Sequence, residues 1–395
     1  MEKEGKLWFE KQACNGLSRW AENFDKVIVA CPTLTASVAE QRMGMQWLAT
    51  ESIEHVDRIE FVPLPASYKI RDFLRDHHAV SVLLRENIQK SDYLSFAISG
   101  LFGDWAAIAC LEARKIQRQY SVWTDRVEHK VILKWDKKTP IKRKIKNLTY
   151  SPVMKFYHQH LIKHSGLGLF HGEDCYQAYA PYCSNSHVVH DIHVKKHQHI
   201  NKADLITKIQ SLDDKAPLKI CYVGRAEAMK GPLDWIQIVR KVVDAGVNLE
   251  AIWFGEGTQL NDMKSKTEDL IKSGHLTFAG YVGDQNDVLS ALRSHHVLMF
   301  CHKTPESPRN LIEALISGCP IIGYRSPYPT ELIAINGGGI LLPTDDIDGV
   351  TETIIALNRD RNKLKELIKS AADDGRKFTD EEVFRHRSQL IYQHL

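Results

Sequence analysis

Two series of short apolar segments, separated by stretches of helix length, constrain the fold of this chain more than any other feature. The first series reads KVIVAC, IEFVPL, YLSFAI, YSVWT, LGLF and HVVHDI, and the second reads LKICYV, LEAIWFG, HLTFAG, HVLMFC, CPIIGY and GGILLP. Apolar segments that alternate with helices are typical of parallel strands buried on both faces. The chain is therefore predicted to be an α/β protein of two doubly wound, Rossmann-like domains that face each other across a ligand-binding cleft.

The segment between residues 194 and 216 is polar and separates the two series. It predicts an amino-terminal Rossmann-like domain over residues 1–195 and a second domain over residues 196–378. Residues 379–395 are expected to form a closing helix that packs back on the first domain.

Composition excludes several classes of protein. The chain has 395 residues, a net charge of +3 and eight cysteines, with no CxxC pair. Single cysteines in apolar segments indicate reduced thiols of a cytosolic protein rather than a disulfide or zinc framework. The opening residues MEKEGKLWFEKQ contain no long apolar run, so no signal peptide is expected. No segment approaches the roughly 18 uninterrupted apolar residues of a membrane-spanning helix.

Helical spacing fills the intervals between the apolar segments. In GPLDWIQIVRKVVDAG, Pro232 suits the first position of a helix and Gly246 can end it. In LWFEKQACNGLSRWAENF, apolar residues recur at helical spacing from Phe9 to Phe24, which predicts a helix over this whole segment.

The segment YVGRAEAMKG places two cations after the first strand of the second series. Gly224 lets the chain turn where the strand ends, and Arg225 and Lys230 follow just before the helix that begins near Pro232. A guanidinium fork and an ammonium that converge at the carboxyl end of a strand suit a diphosphate. Two solvated loop charges are the alternative interpretation.

Glycine turns follow the next two strands. Gly255 and Gly257 open the first of these turns, although the full G-x-G-x-x-G pattern of dinucleotide sites is absent. This turn is interpreted as a tight connection that also leaves space for a ligand. Tyr281 and Val282 follow Gly280 at the end of the next strand, and they are candidate contacts for a nucleobase.

The segment KTPESPRNLIEALISGCPIIGY contains a candidate anion site. Ser307 is a good N-cap and Pro308 a good first residue for a helix. The free N–H groups of Arg309 and Asn310 are then predicted to point into the ligand site, because a helix amino terminus favours an anion. The side chain of Arg309 adds a cation beside that anion.

Two glutamates flank this helix start. Glu313 is expected to lean back toward the amino terminus of the helix, because Cβ atoms tilt that way, and it can accept hydrogen bonds from ribose hydroxyls. Glu306 lies in the preceding loop and can accept hydrogen bonds from sugar hydroxyls. The alternative for both is that acidic residues near a helix amino terminus only complement the helix dipole.

Taken in order, these segments resemble the donor domain of the retaining family 4 glycosyltransferases, which have the two-Rossmann GT-B fold. The resemblance covers residues 218–375 and rests on GR-x4-KG, a G-x-G turn, a strand ending in G-Y-V, and a glutamate-rich loop running into EALISGCPII. It implies that Arg225 and Lys230 bind the nucleotide diphosphate. It also implies that Glu313 holds the ribose and that Glu306 contacts the transferred sugar. Six residues separate these glutamates here, whereas seven separate them in the family motif, so the loop half is one residue short.

The first series resembles the family more loosely. CPTLTAS stands where many members have a Gly-Gly turn, and VWTDRVEH stands where many have a His-Asp pair. Asp125 is the nearest match to that pair, with Arg126 and His129 close by. ISGLFGDW contributes Asp104, and LGLFHGED places His171 in a turn at a strand end. Asp125 and His171 are the catalytic candidates of this half, to orient the acceptor hydroxyl or the donor sugar. A satisfied turn residue is the alternative for each.

The resemblance implies a retaining hexosyltransferase that moves a hexose from a nucleoside-diphosphate sugar to a hydroxyl acceptor, in polysaccharide or glycolipid biosynthesis. Arg225, Lys230 and Glu306 are its catalytic candidates in the donor domain. The sugar nucleotide is a co-substrate, and no further cofactor is expected. No metal is expected either, because the chain has no convincing Asp-x-Asp motif and two cations with backbone amides can replace one. The alternatives are a non-catalytic relative that binds nucleotide sugar and another GT-B enzyme, such as a nucleotide-sugar epimerase.

Residues 130–163 form a basic segment that predicts a partner. Ten Lys or Arg residues lie between His129 and His164 against one acid, Asp136, with aromatic and apolar residues among them. Such a segment suits an anionic membrane surface, where a lipid-linked acceptor would lie; a soluble carbohydrate acceptor stays open. A solvated basic face and a nucleic-acid patch are the alternatives, and no nucleic-acid partner is expected. Pro152 is expected to interrupt the helix. The expected location is cytoplasmic, peripheral on the inner face of the plasma membrane.

Overall fold

The computed structural model describes residues 1–3, 5–40, 46–134, 139–213 and 216–395. The chain forms two units. The amino-terminal unit contains residues 1–133, 140–193 and 380–395, and the carboxyl-terminal unit contains residues 134–139 and 194–379.

The strands described in the amino-terminal unit are β1 (Glu2–Lys3), β2 (Lys6–Glu10), β3 (Val27–Thr33), β4 (Trp47–Ala49), β5 (Ile59–Pro65), β6 (Ser95–Ala97), β7 (Ser121–Thr124), β8 (Leu167–His171) and β9 (Ser186–Val189). The helices described before residue 194 are α1 (Lys11–Asn23), α2 (Ala36–Glu40), α3 (Ile70–Lys90), α4 (Trp105–Lys115), α5 (Glu128–Val131), α6 (Ile141–Lys163) and α7 (Gly172–Tyr179).

The strands described in the carboxyl-terminal unit are β10 (Leu218–Val223), β11 (Leu249–Phe254), β12 (Leu276–Gly280), β13 (Val297–Phe300), β14 (Ile321–Tyr324) and β15 (Gly339–Leu342). The later helices are α8 (Lys202–Gln210), α9 (Pro232–Asp244), α10 (Leu260–Lys266), α11 (Glu268–Lys272), α12 (Gln285–Ser294), α13 (Arg309–Ile316), α14 (Pro327–Leu332), α15 (Ile347–Arg359), α16 (Arg361–Gly375) and α17 (Asp380–His394), the last of which belongs to the amino-terminal unit.

A parallel sheet of six strands forms the centre of the carboxyl-terminal unit, in the order β12-β11-β10-β13-β14-β15. Counted along the chain this order is 3-2-1-4-5-6, the order of a Rossmann sheet. β10 and β13 are neighbours at the point where the order reverses, and Ile220 pairs with Val297 there. All four residues of β13 are buried, as expected for a strand with helices on both faces of the sheet. This sheet confirms the predicted doubly wound α/β fold class.

The amino-terminal unit distributes its described strands over three sheets. β3 pairs with β5 in parallel, β6-β7-β8-β9 form a second parallel sheet, and β1-β2-β4 form a small antiparallel sheet. One hydrophobic core joins the parallel strands to the helices that connect them, and its members include Val62 of β5, Val80 of α3, Ile108 of α4 and Phe170 of β8. The strand–helix alternation read from the sequence is therefore present in this unit as well.

Helix α17 packs against α1 within the amino-terminal unit. Arg19 Nε lies 3.0 Å from Asp380 Oδ2, and the rings of Phe24 and Tyr392 stack with their centroids 4.8 Å apart. The buried carboxylate of Asp380 and these aromatic contacts fix both ends of the closing helix.

Two expectations about single elements are wrong. The helix predicted from Phe9 begins at Lys11, because Phe9 pairs with Leu48 in the antiparallel sheet. Aromatic residues favour strands, so Phe9 fits the strand as well as it fits the helical spacing. The helix predicted to break at Pro152 continues as α6 from Ile141 to Lys163. A proline removes one N–H donor from a helix, and the remaining hydrogen bonds can carry the helix past it.

Candidate functional site

The candidate site lies at the carboxyl ends of β10 and β13, where ligands of open α/β sheets bind. The loop that follows β10 and the loop that follows β13 are hydrogen-bonded to each other, because the Lys303 N–H donates to the Met229 carbonyl at 2.9 Å. The Asn310 side chain donates through Nδ2 to the carbonyl of Val223, the last residue of β10, at 2.7 Å. The two loops and the start of α13 therefore form one connected structure.

Glycines permit this close approach at two positions. Gly231 has a φ of 64°, and a Cβ at this residue would lie 2.1 Å from the Cys301 carbonyl oxygen. A Cβ at Gly255 would lie 2.1 Å from the Gly224 carbonyl oxygen. Neither contact is sterically allowed, so a side chain at either residue would force the strand-end loops apart.

A buried chain of polar contacts crosses this edge of the sheet. Lys230 Nζ lies 2.7 Å from Glu306 Oε2, and His302 Nδ1 lies 2.6 Å from Glu306 Oε1. On its other side the His302 ring reaches β10, with Nε2 2.5 Å from the Tyr222 hydroxyl. All four residues are less than a tenth exposed. We call these residues, Lys230, Glu306, His302 and Tyr222, the buried relay.

The protonation state of the histidine follows from its surroundings. Burial and the charge of Lys230 lower the pKa of His302 to about 4, and burial raises the pKa of Tyr222 well above its usual value. At neutral pH the imidazole is therefore uncharged and the phenol keeps its proton. The Tyr222 O–H then donates to His302 Nε2, which leaves the proton on Nδ1, facing the carboxylate of Glu306.

Glu306 is ionised within the buried relay. Burial alone would raise its pKa, but His302 and Lys230 outweigh burial and lower the pKa of Glu306 to about 2. A buried ion pair of this kind is costly to break from one side, by about 3–5 kcal/mol, because the remaining charge loses its partner. The carboxylate therefore fixes the position of the Lys230 ammonium.

The other donor-site candidates surround the buried relay. Gly224 directly follows β10, and its N–H donates to the Phe254 carbonyl at 2.8 Å. Arg225 is exposed at the surface of the same loop, so its guanidinium is accessible to a ligand. Arg309 is half-buried and is the first residue of α13. The N-cap of α13 is Pro308 and not Ser307 as predicted, which moves the helix start by one residue.

Glu313 lies in α13 and differs from Glu306 in its electrostatics. Burial raises the pKa of Glu313, against the charge of Arg309 and a hydrogen bond from Gln285. A carboxylate with a raised pKa still lacks full compensation by its neighbours, so additional hydrogen-bond donors would stabilise its ionised form. Vicinal ribose hydroxyls are donors of this kind.

The candidates for nucleobase contact lie at the next two strand ends. The Gly255 N–H donates to the Gly280 carbonyl at 2.7 Å, which links the turns after β11 and β12. Tyr281 follows β12 and leaves about half of its surface exposed. Val282 is half-buried beside it. An exposed aromatic ring at a strand end is available for stacking.

The amino-terminal candidates lie at the carboxyl edge of a different sheet. Thr124 of β7 pairs with Phe170 of β8, so Asp125, just after β7, and His171, the next residue of β8, lie at the ends of neighbouring strands. Asp125 is exposed. His171 is the last residue of β8, is only 2% exposed, and accepts the Asp191 N–H at Nε2. The expectation that His171 lies in a turn is therefore wrong, because it still belongs to the strand.

Other residues singled out in this half have structural roles. Asp104 accepts the N–H groups of Ser99, Gly100 and Ala107, so it caps the start of α4. His129 is buried, and burial lowers its pKa to about 4. For Asp104, the alternative of a satisfied turn residue is correct.

Sequence reasoning missed Tyr222 and His302. Tyr222 occurs in the apolar segment LKICYV, His302 directly follows the apolar segment HVLMFC, and their contact joins residues 80 positions apart. A polar residue at the end of a buried strand was the available signal, because such residues need hydrogen-bond partners.

Within the described parts of the chain, no group of three or more His, Cys, Asp or Glu side chains is arranged to hold a metal ion. Over the same residues, no helix combines the length and the apolar character needed to cross a bilayer.

Comparison with known proteins identifies the class. Residues 205–374 match the family described as glycosyl transferases group 1. The carboxyl-terminal unit is thus similar to this family over most of its length, which confirms the resemblance to family 4 glycosyltransferases drawn from the sequence.

Two curated relatives match part of the chain. A phosphatidyl-myo-inositol mannosyltransferase of Mycolicibacterium smegmatis is 29% identical over 143 residues, 36% of this chain and 36% of the relative. A UDP-Gal:alpha-D-GlcNAc-diphosphoundecaprenol alpha-1,3-galactosyltransferase of Escherichia coli is 24% identical over 165 residues, 41% of this chain and 42% of the relative. The matches therefore span less than half the length of these relatives.

Solved structures resemble the chain over most of its length. HepE of Anabaena in complex with UDP has a TM-score of 0.65 at 12% identity, and the alignment covers 97% of this chain and 96% of HepE. Sucrose-phosphate synthase from Thermosynechococcus elongatus has a TM-score of 0.63 at 14% identity, covering 86% of this chain and 84% of that one. At these identities the likeness shows the fold, which is the GT-B fold.

Proposed function

We propose that this chain is a retaining glycosyltransferase that moves a hexose from a nucleoside-diphosphate sugar to a hydroxyl acceptor. The observation that carries the proposal is the buried pair of Lys230 and Glu306 at the point where the strand order of a Rossmann sheet reverses. The family match over residues 205–374 supports transfer, and the solved neighbours with UDP or UDP-glucose bound favour UDP as the nucleotide.

Arg225 and Lys230 stabilise the leaving diphosphate in this proposal. Negative charge develops on the phosphate oxygen as its bond to the sugar breaks, and preorganised cations lower the barrier for that step. The acceptor hydroxyl attacks the same face of the sugar, forms the new C–O bond, and passes its proton to the departing phosphate oxygen. The first N–H groups of α13, those of Arg309 and Asn310, have no partner within the helix and donate to the diphosphate.

Glu306 holds Lys230 in place before the donor arrives. One of its oxygens contacts Lys230 and the other contacts His302, so the ammonium is positioned without a ligand. Each carboxylate oxygen can accept more than one hydrogen bond, and Glu306 uses this capacity to contact the transferred sugar. Tyr222 and His302 act as positioning residues for Glu306.

The remaining donor contacts have separate roles. Glu313 accepts hydrogen bonds from the ribose hydroxyls. Gly224 and Gly255 keep the strand-end turns free of side chains where the nucleotide approaches, and Tyr281 and Val282 contact the nucleobase. The exposed ring of Tyr281 supports a stacking contact.

Asp125 and His171 orient the acceptor hydroxyl or the donor sugar. Their positions at the ends of neighbouring strands β7 and β8 support a shared role. A carboxylate and an imidazole can both accept a proton or a hydrogen bond from a hydroxyl.

The reaction is proposed to need no divalent cation, because Arg225, Lys230 and the backbone amides supply the positive charge that a metal would supply. Turnover should persist in EDTA. A strict loss of turnover in EDTA that Mn²⁺ restores would contradict this part of the proposal.

The acceptor is proposed to be lipid-linked, in glycolipid or polysaccharide biosynthesis. Two of the curated relatives are named for acceptors of this kind, a phosphatidyl-myo-inositol and a diphosphoundecaprenol. A lipid-linked acceptor requires contact with a membrane surface, and the basic segment of residues 130–163 is the candidate for that contact, on the cytoplasmic side.

A thermal-shift panel of UDP-, GDP- and ADP-sugars tests the donor, because the bound donor raises the melting temperature by mass action. Release of nucleoside diphosphate with the stabilising donor then tests transfer. Slow hydrolysis of the donor that Lys230→Ala abolishes supports an enzyme. Tight binding without turnover on any donor or lipid extract would instead indicate a non-catalytic relative, and release of an epimerised sugar nucleotide would indicate an epimerase.

A further inference from the structure

Helix α6 has two faces of opposite character. One face is buried in the amino-terminal unit and contains Ser151, Met154, His158, Leu161 and Ile162. The opposite face presents apolar side chains to solvent: Ile141, Ile145, Leu148 and Phe156 are 56–73% exposed, and Pro152 is exposed among them. We call these five residues the outer stripe of α6.

The spacing of these five residues aligns them in a single row. They follow one another at intervals of four, three, four and four positions, which at about 100° per residue places them within an arc of about 80°. The row is about 22 Å long at about 1.5 Å per residue. Single exposed apolar residues are ordinary on a protein surface, but a contiguous row indicates an interaction surface. The continuity of α6 through Pro152 makes this row possible.

Basic side chains border the outer stripe. Lys144 and Lys155 lie on one side of it, Lys142 lies on the other, and Lys163 follows at the end of the helix. No acidic residue occurs between Ile141 and Lys163. Asp136, Lys137 and Lys138 of the wider basic segment lie outside the described residues.

We infer that the outer stripe of α6 binds the surface of an anionic membrane, with the helix parallel to the membrane plane. Lysines that border an apolar row combine burial of the row among acyl chains with attraction to anionic headgroups. A nucleic acid would match the lysines but leave the apolar row in water. A helix this polar does not span a bilayer, which is consistent with the absence of a spanning helix among the described residues.

This inference deepens the proposed function, since a lipid-linked acceptor would lie in the same membrane. Its test does not depend on that function, because vesicle binding is measured without donor or acceptor. A protein that binds vesicles but transfers no sugar would refute the proposed function alone.

The first arm of the test removes the apolar row. Sedimentation is measured with vesicles of phosphatidylcholine, with and without phosphatidylglycerol, for wild type and Leu148→Glu. Leu74→Glu is the matched control, because Leu74 is 69% exposed on α3. Leu148→Glu should weaken binding to anionic vesicles by roughly tenfold or more, since it places a charge in the row that inserts among the acyl chains. Leu74→Glu should leave binding unchanged.

The second arm removes the flanking charge. Lys142→Glu with Lys155→Glu should weaken binding to anionic vesicles by roughly tenfold or more. Lys264→Glu with Lys369→Glu alters the net charge equally at exposed residues elsewhere and should have little effect. Equal binding to neutral and anionic vesicles, equal loss in the variants and their controls, or a change of oligomeric state in Leu148→Glu without any loss of vesicle binding would each overturn the inference.

Discussion

The carboxyl edges of the two larger parallel sheets differ in how their polar residues are held. At the edge between β10 and β13, four buried side chains form a connected relay from Tyr222 to Lys230, with opposite charges 2.7 Å apart. At the edge between β7 and β8, Asp125 is exposed and His171 is buried among rings, 6.2 Å from the Trp123 centroid. The first edge is organised before any ligand arrives, as expected for a site that binds a highly charged diphosphate.

This difference suggests a division of work between the two units. In the proposed reaction, a preorganised cation after β10 serves binding and departure of the nucleotide, whereas an exposed acid and a buried imidazole serve an acceptor that changes protonation. Variants at the first edge should therefore change nucleotide affinity, and variants at the second should change turnover.

The largest effect is expected for Lys230→Ala. Removal of the ammonium should weaken UDP binding by roughly a hundredfold or more and abolish turnover, because a buried, hydrogen-bonded charge is lost. Isothermal titration with UDP measures the affinity. The variant also leaves Glu306 without its cation, so the double variant with Glu306→Gln should regain stability without regaining affinity. Unchanged UDP affinity in Lys230→Ala would remove the proposed distinction between the edges.

Asp125→Asn and His171→Asn should lower kcat by roughly a hundredfold each while leaving the Kd for UDP within about twofold of wild type. The physical reason is that both residues are proposed to act on the acceptor or sugar and not on the nucleotide. Steady-state kinetics with the donor identified by thermal shift measures kcat, and Asp57→Asn, at an exposed acid of the same unit, is the control. A parallel loss of UDP affinity would show that the two edges do not divide the work.

His302→Asn should make stability less dependent on pH. The pKa of His302 is about 4 in the folded chain and ordinarily 6.5, so the unfolded chain binds the proton first as the pH falls. Wild type should therefore lose stability between about pH 6.5 and pH 4, by about 3 kcal/mol from this residue. Urea unfolding, repeated across this pH range, should show that the free energy of unfolding changes less steeply with pH in His302→Asn than in wild type. His129 and His296 also have lowered pKa values, but they are present in both proteins and cancel in the difference.

A comparison of Asn with Gln at position 302 gives a second test of the buried relay. The side-chain amide of Asn occupies the place of Nδ1, whereas that of Gln occupies the place of Nε2. Since Nδ1 faces Glu306, His302→Asn should keep UDP affinity closer to wild type than His302→Gln does, by several-fold. The reverse order would place the proton on the other nitrogen and contradict the buried relay.

A further comparison separates the two glutamates. Glu313→Gln should weaken UDP binding by roughly tenfold, because a neutral amide accepts ribose hydroxyls less strongly than a carboxylate. Glu306→Gln should weaken UDP binding less than Glu313→Gln does and should mainly lower stability and turnover, since Lys230 remains available to the diphosphate. Calorimetric titration of UDP into both variants measures how much affinity each one loses. Equal losses of affinity would assign both glutamates to the nucleotide.

Much of the carboxyl-terminal unit was predictable from the sequence, because its strands are apolar, short and regularly spaced. The positions of Arg225 and Lys230 after β10 follow directly from that pattern. The buried relay was not predictable, since Tyr222 and His302 meet only after β10 and β13 become neighbours. In the amino-terminal unit, Phe9 fits a strand and a helix equally well by its chemistry, and pairing with β4 decides between them. The exposure of the outer stripe of α6 was also not predictable, because it depends on which face of the helix the amino-terminal unit buries.

The most direct test of the central claim is a crystal structure of the protein with UDP. The diphosphate should lie at the carboxyl edge between β10 and β13, with a phosphate oxygen within hydrogen-bonding distance of Lys230 Nζ and the ribose against Glu313. UDP bound at any other place, with no phosphate oxygen near Lys230, would contradict the account.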